Sequence, residues 1–156
     1  RRRTRDMGQW LLDLLPSGGT SFIDACKVIS TSRQGRGVLV VLSDCLEKDG
    51  ITQGLSYLVG GGWDVFVIQS LAPEEVSPLD TGLEGDLRLE DSESGEECEI
   101  TAIAPLIAKY KQRLEQHCES IREQCIRIGA GSVRVSTDVD MEQLLVEYLR
   151  GRGLLR

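Results

Sequence analysis

Five consecutive aliphatic residues, Val38 to Leu42, constrain the fold of this 156-residue chain more than any other feature. A strand that is apolar on both faces is typical of a central parallel strand with helices on both sides of its sheet. Residues 52–59 then repeat apolar side chains at helical spacing, and a second aliphatic strand follows at residues 64–68. Strand, helix and strand at this spacing predict a βαβ unit with two parallel strands in one sheet.

Two helices are predicted before the first strand. The apolar side chains of residues 6–15 fall on one helical face, and Pro16–Gly19 ends that helix in a tight loop. Thr20 or Ser21 then caps a second helix that runs to about Ser32. The loop between the two helices is therefore rich in glycine and is followed at once by a hydroxyl side chain.

An acidic segment follows the second strand. In Glu74–Glu99 there are eleven Asp and Glu residues against one basic residue, within a chain of net charge −7. Apolar and polar residues alternate there, which predicts an exposed β-hairpin over residues 83–101. Charged side chains on the outer face of such a hairpin keep its strands from pairing with strands of other molecules. Glu93, Glu96 and Glu97 are an alternative surface for a protein partner.

The remaining pattern completes one α/β domain over residues 1–156. Apolar residues recur at helical spacing through residues 104–128, which predicts a long helix packed on the sheet. Residues 132–136 form a short strand, and Thr137 or Asp138 caps a last helix.

Composition excludes several classes of protein. The five cysteines are odd in number and not closely paired, which favours reduced, mostly buried thiols in a cytoplasmic protein. No apolar run reaches the ~20 residues of a bilayer span, so we expect no membrane span in this chain, although a longer protein could carry an anchor upstream. The basic cluster at residues 1–5 lacks aromatic neighbours, so we expect no nucleic-acid partner.

The most plausible site for chemistry is the carboxyl edge of the predicted sheet, where ligands bind in open parallel sheets. Ser43 and Asp44 directly follow the first strand, and the Gly18-Gly19-Thr20 loop opens a helix just before it. A hydroxyl and a carboxylate that converge there suit a hard cation such as Mg²⁺. The alternative is purely structural: Thr20 caps its helix and Asp44 caps its loop, and the spacing alone slightly favours this alternative.

Pro16–Thr20 and Gly37–Asp44 resemble the second and third motif elements of a von Willebrand factor A-type domain. More closely, the chain resembles the bacterial family catalogued as domain of unknown function fifty-eight, through the Asp91–Gly95 turn and the long helix with Tyr110 and His117. The resemblance implies a Rossmann-like, three-layer sandwich with a mainly parallel sheet and a metal-ion-dependent adhesion site. In that pattern Thr20 and Asp44 are the later metal positions, with Mg²⁺ as the cofactor.

The family's first motif element, Asp-x-Ser-x-Ser at the end of an early strand, is not found in this sequence. The nearest string, Glu90–Ser94, begins with Glu and falls in the acidic hairpin. The resemblance therefore implies either an incomplete C-terminal portion whose first strands are missing or a protein that has lost that half. In both cases it implies a partial site that binds Mg²⁺ weakly.

The resemblance implies a non-enzymatic protein-binding module that works with a MoxR-type AAA ATPase in complex assembly; the oligomeric state is left open. The alternative is a hydrolase that uses Asp44 or Cys45 at the strand edge, for which His117 is the only available histidine base. The sequence gives no reason for His117 to reach that edge. A zinc site at His117, Cys118 and Cys125 is disfavoured because neighbouring helical residues point ~100° apart.

Overall fold

The computed structural model describes residues 2–15, 21–32, 37–46, 50–78, 80, 82, 85–90, 95–140 and 142. The fold is mixed α/β. The helices are α1 (Arg2–Leu12), α2 (Phe22–Ser32), α3 (Ile51–Gly60), α4 (Pro73–Val76) and α5 (Ala104–Ile128). The strands are β1 (Gly37–Ser43), β2 (Trp63–Leu71), β3 (Gly85–Glu90), β4 (Glu97–Ala102) and β5 (Gly131–Ser136).

The described strands form a three-stranded parallel sheet and a separate antiparallel pair. In the parallel sheet the order is β1-β2-β5, and α3 connects β1 to β2. Val40 of β1 lies opposite Phe66 of β2, so the βαβ unit predicted from the sequence is confirmed. The acidic segment forms the antiparallel pair β3-β4, in which Leu87 lies opposite Ile100.

Three helices cover one face of the parallel sheet, which we call the inner face. Their buried side chains include Cys26 of α2, Leu55 of α3 and Cys125 of α5, and these pack with Val65 and Val67 of β2 in one core. Burial of a side chain such as Leu55 contributes about 1.5–3 kcal/mol of hydrophobic free energy. This core fixes the positions of α2, α3 and α5 over the strands.

The position of β1 corrects one expectation. The aliphatic run predicted a central strand, but the central strand of the described sheet is β2, and β1 is one of its two outermost strands. Its inner-face residues are half-buried, whereas Val38, Val40 and Leu42 on the outer face are 63%, 44% and 72% exposed. The local pattern indicates a strand with apolar side chains on both faces, but it does not indicate which strands and helices lie next to it.

Helix α5 agrees with its prediction over the whole of residues 104–128. It buries a stripe at helical spacing, which consists of Ile107, Leu114, Cys118, Ile121 and Cys125. All five cysteines are unbridged, and only Cys98 is exposed.

The two ends of the chain differ from α5. At the N-terminal end, Trp10 and Leu11 of α1 are exposed and do not form part of the core. The last helix predicted after Asp138 lies, apart from Asp140 and Glu142, largely outside the described residues. Within the described ranges, no helix is long and apolar enough to cross a membrane.

Candidate functional site

The two residues predicted as metal ligands differ in what the structure shows of them. Asp44 is the first residue after β1 and is exposed at the carboxyl edge of the parallel sheet, as predicted. Thr20, with the Gly18-Gly19 loop, lies outside the described residues. Only one of the two predicted ligands can therefore be placed.

The start of α2, just after that loop, lies at the same edge as the segment that follows Asp44. Gly50 precedes α3 with φ +104°, and a Cβ atom built on it would lie 2.3 Å from Ile23 Cγ1. Likewise, a Cβ atom on Gly54 would lie 2.5 Å from Phe22 Cε1. Only glycine permits such close contacts, so Gly50 and Gly54 allow the first turn of α2 to pack against the first turn of α3.

The turn after β1 is held by its own side chains. Asp44 Oδ1 accepts a hydrogen bond from the Leu46 N–H at 3.1 Å, and the Ser43 hydroxyl donates to the same oxygen at 3.4 Å. Ser43 Oγ in turn accepts the Cys45 N–H at 3.0 Å. Between them Cys45 adopts φ +59°, a left-handed conformation that is uncommon outside glycine. The carboxylate is thus fixed at the edge by local bonds.

Two side chains from distant parts of the chain hold the backbone of this turn. Gln69 of β2 is 4% exposed, and its Nε2 donates to the Asp44 carbonyl at 2.9 Å. His117 Nε2 lies 2.6 Å from the Cys45 carbonyl oxygen. A carbonyl only accepts, so this ring nitrogen carries the proton and donates it. The two consecutive carbonyls are therefore tied to β2 and to α5.

The position of His117 corrects a second expectation. The sequence suggested no route from His117 to the strand edge, yet the structure brings the ring into contact with the residue after Asp44. Helix α5 passes over the inner face, so a position near its middle overlies the carboxyl end of β1. Since Nε2 donates to the Cys45 carbonyl, that nitrogen is not available as a base for the Cys45 thiol.

The Cys45 thiol is poorly suited to nucleophilic chemistry. Its residue is 1% exposed, and burial raises the pKa of Cys45 from 9.0 to about 11, with the Asp44 charge adding to the effect and the Ser43 hydrogen bond opposing it. Because the thiolate is the reactive form, a thiol with this pKa has little nucleophile at neutral pH. Burial also closes off the approach of a substrate.

The described residues contain no group of three or more His, Cys, Asp or Glu side chains that could hold a metal ion. At the edge the available oxygens are the Asp44 carboxylate and the Ser43 hydroxyl. Divalent cations take six or more oxygen ligands, and a site with one carboxylate leaves most positions to water. Among the described residues, one carboxylate and one hydroxyl at this edge do not complete a site for Mg²⁺.

A cleft of about 230 Å³ opens between α5 and strands β2 and β5, and Gln69 forms part of its wall. Two arginines line it, but each is already paired: Arg134 with Glu115 at 2.7 Å, and Arg122 with Glu119 at 2.5 Å. The cleft therefore offers no uncompensated charge to a ligand, and Asp44 remains the better candidate.

Comparison with known proteins yields no relative: no family model, no curated protein and no solved structure matches this chain. Arguments about function therefore depend on the geometry described above.

Proposed function

We propose that this chain is a non-enzymatic, protein-binding domain of the von Willebrand A type, which binds its partner at the sheet edge that carries Asp44. The observation that supports this most directly is the exposed Asp44 carboxylate, held in a turn whose carbonyls are tied to Gln69 and His117. A rigidly held carboxylate at the carboxyl end of a parallel strand is a suitable ligand for a divalent ion shared with a partner.

The proposal assigns Thr20 and Asp44 to a partial Mg²⁺ site and a MoxR-type AAA ATPase to the partner. Support for Thr20 is indirect: α2 begins at Phe22, and its first turn packs against the start of α3, the helix that follows the Asp44 turn. The competing proposal of a cysteine hydrolase has less support because the Cys45 thiol is buried and its pKa is raised to about 11.

A metal-dependent thermal shift tests the site. In the 156-residue chain, we expect MgCl₂ or MnCl₂ at ten times its dissociation constant to stabilise the native state by about 1.4 kcal/mol. This corresponds to a rise in Tm of roughly 3–6 °C for a domain of this size. Asp44→Asn should abolish the rise.

The matched control is Asp64→Asn. Asp64 is an exposed carboxylate near the start of β2, at the amino ends of the parallel strands, whereas Asp44 lies at their carboxyl ends. Its loss should therefore leave the metal-dependent shift unchanged. An absent shift in the unmodified chain, or an equal loss in both variants, would refute the site.

Binding to a purified MoxR-type ATPase, measured by biolayer interferometry with and without Mg²⁺, tests the partner with the same two variants.

A further inference from the structure

The cleft between α5 and strands β2 and β5 contains a buried amide of which only one end is hydrogen-bonded. Gln69 lines this cleft and is 4% exposed. Its Nε2 donates to the Asp44 carbonyl at 2.9 Å, and because a carbonyl only accepts, the nitrogen must be the amide atom on that side. Within the part of the chain that the structure describes, no group donates to the remaining atom, Oε1. A buried acceptor without a donor lowers stability, so a ligand N–H that reached Oε1 would be stabilising.

A guanidinium group lies beside this acceptor. Gln69 of β2 and Arg134 of β5 are direct partners in the parallel register, so their side chains emerge on the same face, from strands about 4.8 Å apart. Arg134 also lines the cleft, and it donates to Glu115 of α5 from Nη1 at 2.7 Å and from Nη2 at 3.4 Å. The cleft therefore presents a neutral acceptor, a cation and an anion as near neighbours.

The ion pair with Glu115 does not prevent Arg134 from binding a ligand. A guanidinium group has five N–H donors, so the two bonds to Glu115 leave others for a second carboxylate. The two side chains are 45% and 66% exposed, and such pairs rearrange at little cost in stability. A ligand with a single charge is repelled by one member of the pair, whereas a ligand with both charges is attracted by both members. The pair therefore favours a zwitterion.

We propose that this cleft binds a free α-amino acid with a short aliphatic side chain. The ligand carboxylate accepts from Arg134, and the ammonium donates to Gln69 Oε1 and to Glu115. In an α-amino acid these two groups flank one carbon atom, which suits protein side chains that emerge next to each other. Val67 and Ile121 line the same cleft and provide an apolar wall for the aliphatic side chain.

The volume of the cleft sets the size of the ligand. The cleft holds about 230 Å³, which is below the ~300–1,000 Å³ of sites for drug-sized ligands. This volume suits a single amino acid and is too small for a peptide or a nucleotide. The site uses the inner face beneath α5 and not the Asp44 carboxylate, so it is distinct from the proposed partner-binding edge.

Isothermal titration calorimetry of the 156-residue chain with L-valine tests the proposal. We expect a dissociation constant below about 1 mM, a modest affinity for a ligand of this size. Three analogues separate the contacts: isovalerate lacks the ammonium, isobutylamine lacks the carboxylate, and N,N,N-trimethylvaline keeps both charges but has no N–H for Gln69 Oε1. Each should bind at least about 10-fold more weakly, because each loses a charge-assisted hydrogen bond.

Arg134→Gln should also weaken L-valine binding by about 10-fold or more. The matched control is Arg88→Gln, since Arg88 forms an exposed ion pair with Glu97 in the β3-β4 hairpin and does not line the cleft. This variant should bind L-valine as the unmodified chain does. Far-UV circular dichroism of both variants shows whether they remain folded. Asp44→Asn and added EDTA should leave the affinity unchanged, which separates this site from the proposed Mg²⁺ site.

Several results would overturn the proposal. One is the absence of L-valine binding at concentrations up to about 10 mM, a range that includes weak millimolar sites. Binding of isovalerate as tight as that of L-valine would assign the cleft to carboxylates alone, and equal binding of isobutylamine would assign it to amines alone. Equal affinity for N,N,N-trimethylvaline would remove the role of Gln69 Oε1. An equal loss of affinity in Arg88→Gln and Arg134→Gln would place the binding elsewhere.

Discussion

The close approach of α3 to α2 at Gly54 gives the sharpest prediction about the architecture of the site. A Cβ atom on Gly54 would lie 2.5 and 2.6 Å from two ring carbons of Phe22 and 3.1 Å from Cys26 Sγ. Carbon atoms do not approach so closely, so alanine at this position must displace the Phe22 ring and with it the first turn of α2. Overpacking of this kind costs about 1–3 kcal/mol.

Two effects of Gly54→Ala oppose each other. Alanine favours the helix by about 1 kcal/mol over glycine, because it reduces the conformational entropy of the unfolded chain. After this gain, the net destabilisation is up to about 2 kcal/mol. The matched control is Gly60→Ala in the same helix, where a Cβ atom would have no neighbour within 4 Å. This variant should be unchanged or more stable by up to about 1 kcal/mol.

Urea unfolding followed by far-UV circular dichroism measures both variants, and equal m-values would show that the unfolding transitions are comparable. Hydrogen exchange should also increase at the amides of residues 22–26 in Gly54→Ala and stay unchanged in β5. If Gly54→Ala is as stable as Gly60→Ala, the two helices do not approach as described. The start of α2 then does not lie against the helix that follows the Asp44 turn.

Other predictions concern the core, the buried thiol and the surface. Leu55→Ala, at a fully buried position, should lower the free energy of unfolding by about 2–5 kcal/mol in urea titrations. At pH 8, iodoacetamide followed by peptide mass spectrometry should label exposed Cys98 in the native chain and leave Cys45 unmodified; equal rates would contradict its burial. The native pKa of Cys45, about 11, lies above its usual 9.0. The contribution of this thiol to the free energy of unfolding is therefore complete below pH 9 and is lost as the pH rises toward 11. Urea titrations from pH 8 to 11 should show that decline, and it should be smaller in Cys45→Ala. Glu115→Gln should change the unfolding free energy by less than about 1 kcal/mol, because its ion pair with Arg134 is exposed.

Much of the fold could be predicted from the sequence because it depends on local periodicity. The aliphatic runs at residues 38–42 and 64–68, with a helical repeat between them, predicted two parallel strands joined by a helix. The three- and four-residue spacing along residues 104–128 predicted a helix with one buried face. Alternation in the acidic segment predicted the β3-β4 pair. In each case the pattern reflects which face of a single element is apolar, and a short window is enough to show it.

The sequence by itself also placed Asp44 at the carboxyl edge, because a polar residue that directly follows a buried strand emerges there. Only the tertiary structure decided what surrounds it. Gln69 and His117 reach the Asp44 and Cys45 carbonyls across 25 and 72 residues of chain, and no local pattern encodes contacts of that separation. Tertiary structure likewise decided that β1 is an edge strand of the described sheet. Side-chain periodicity determines the two faces of a strand, whereas its neighbours are selected by backbone pairing and packing between distant elements.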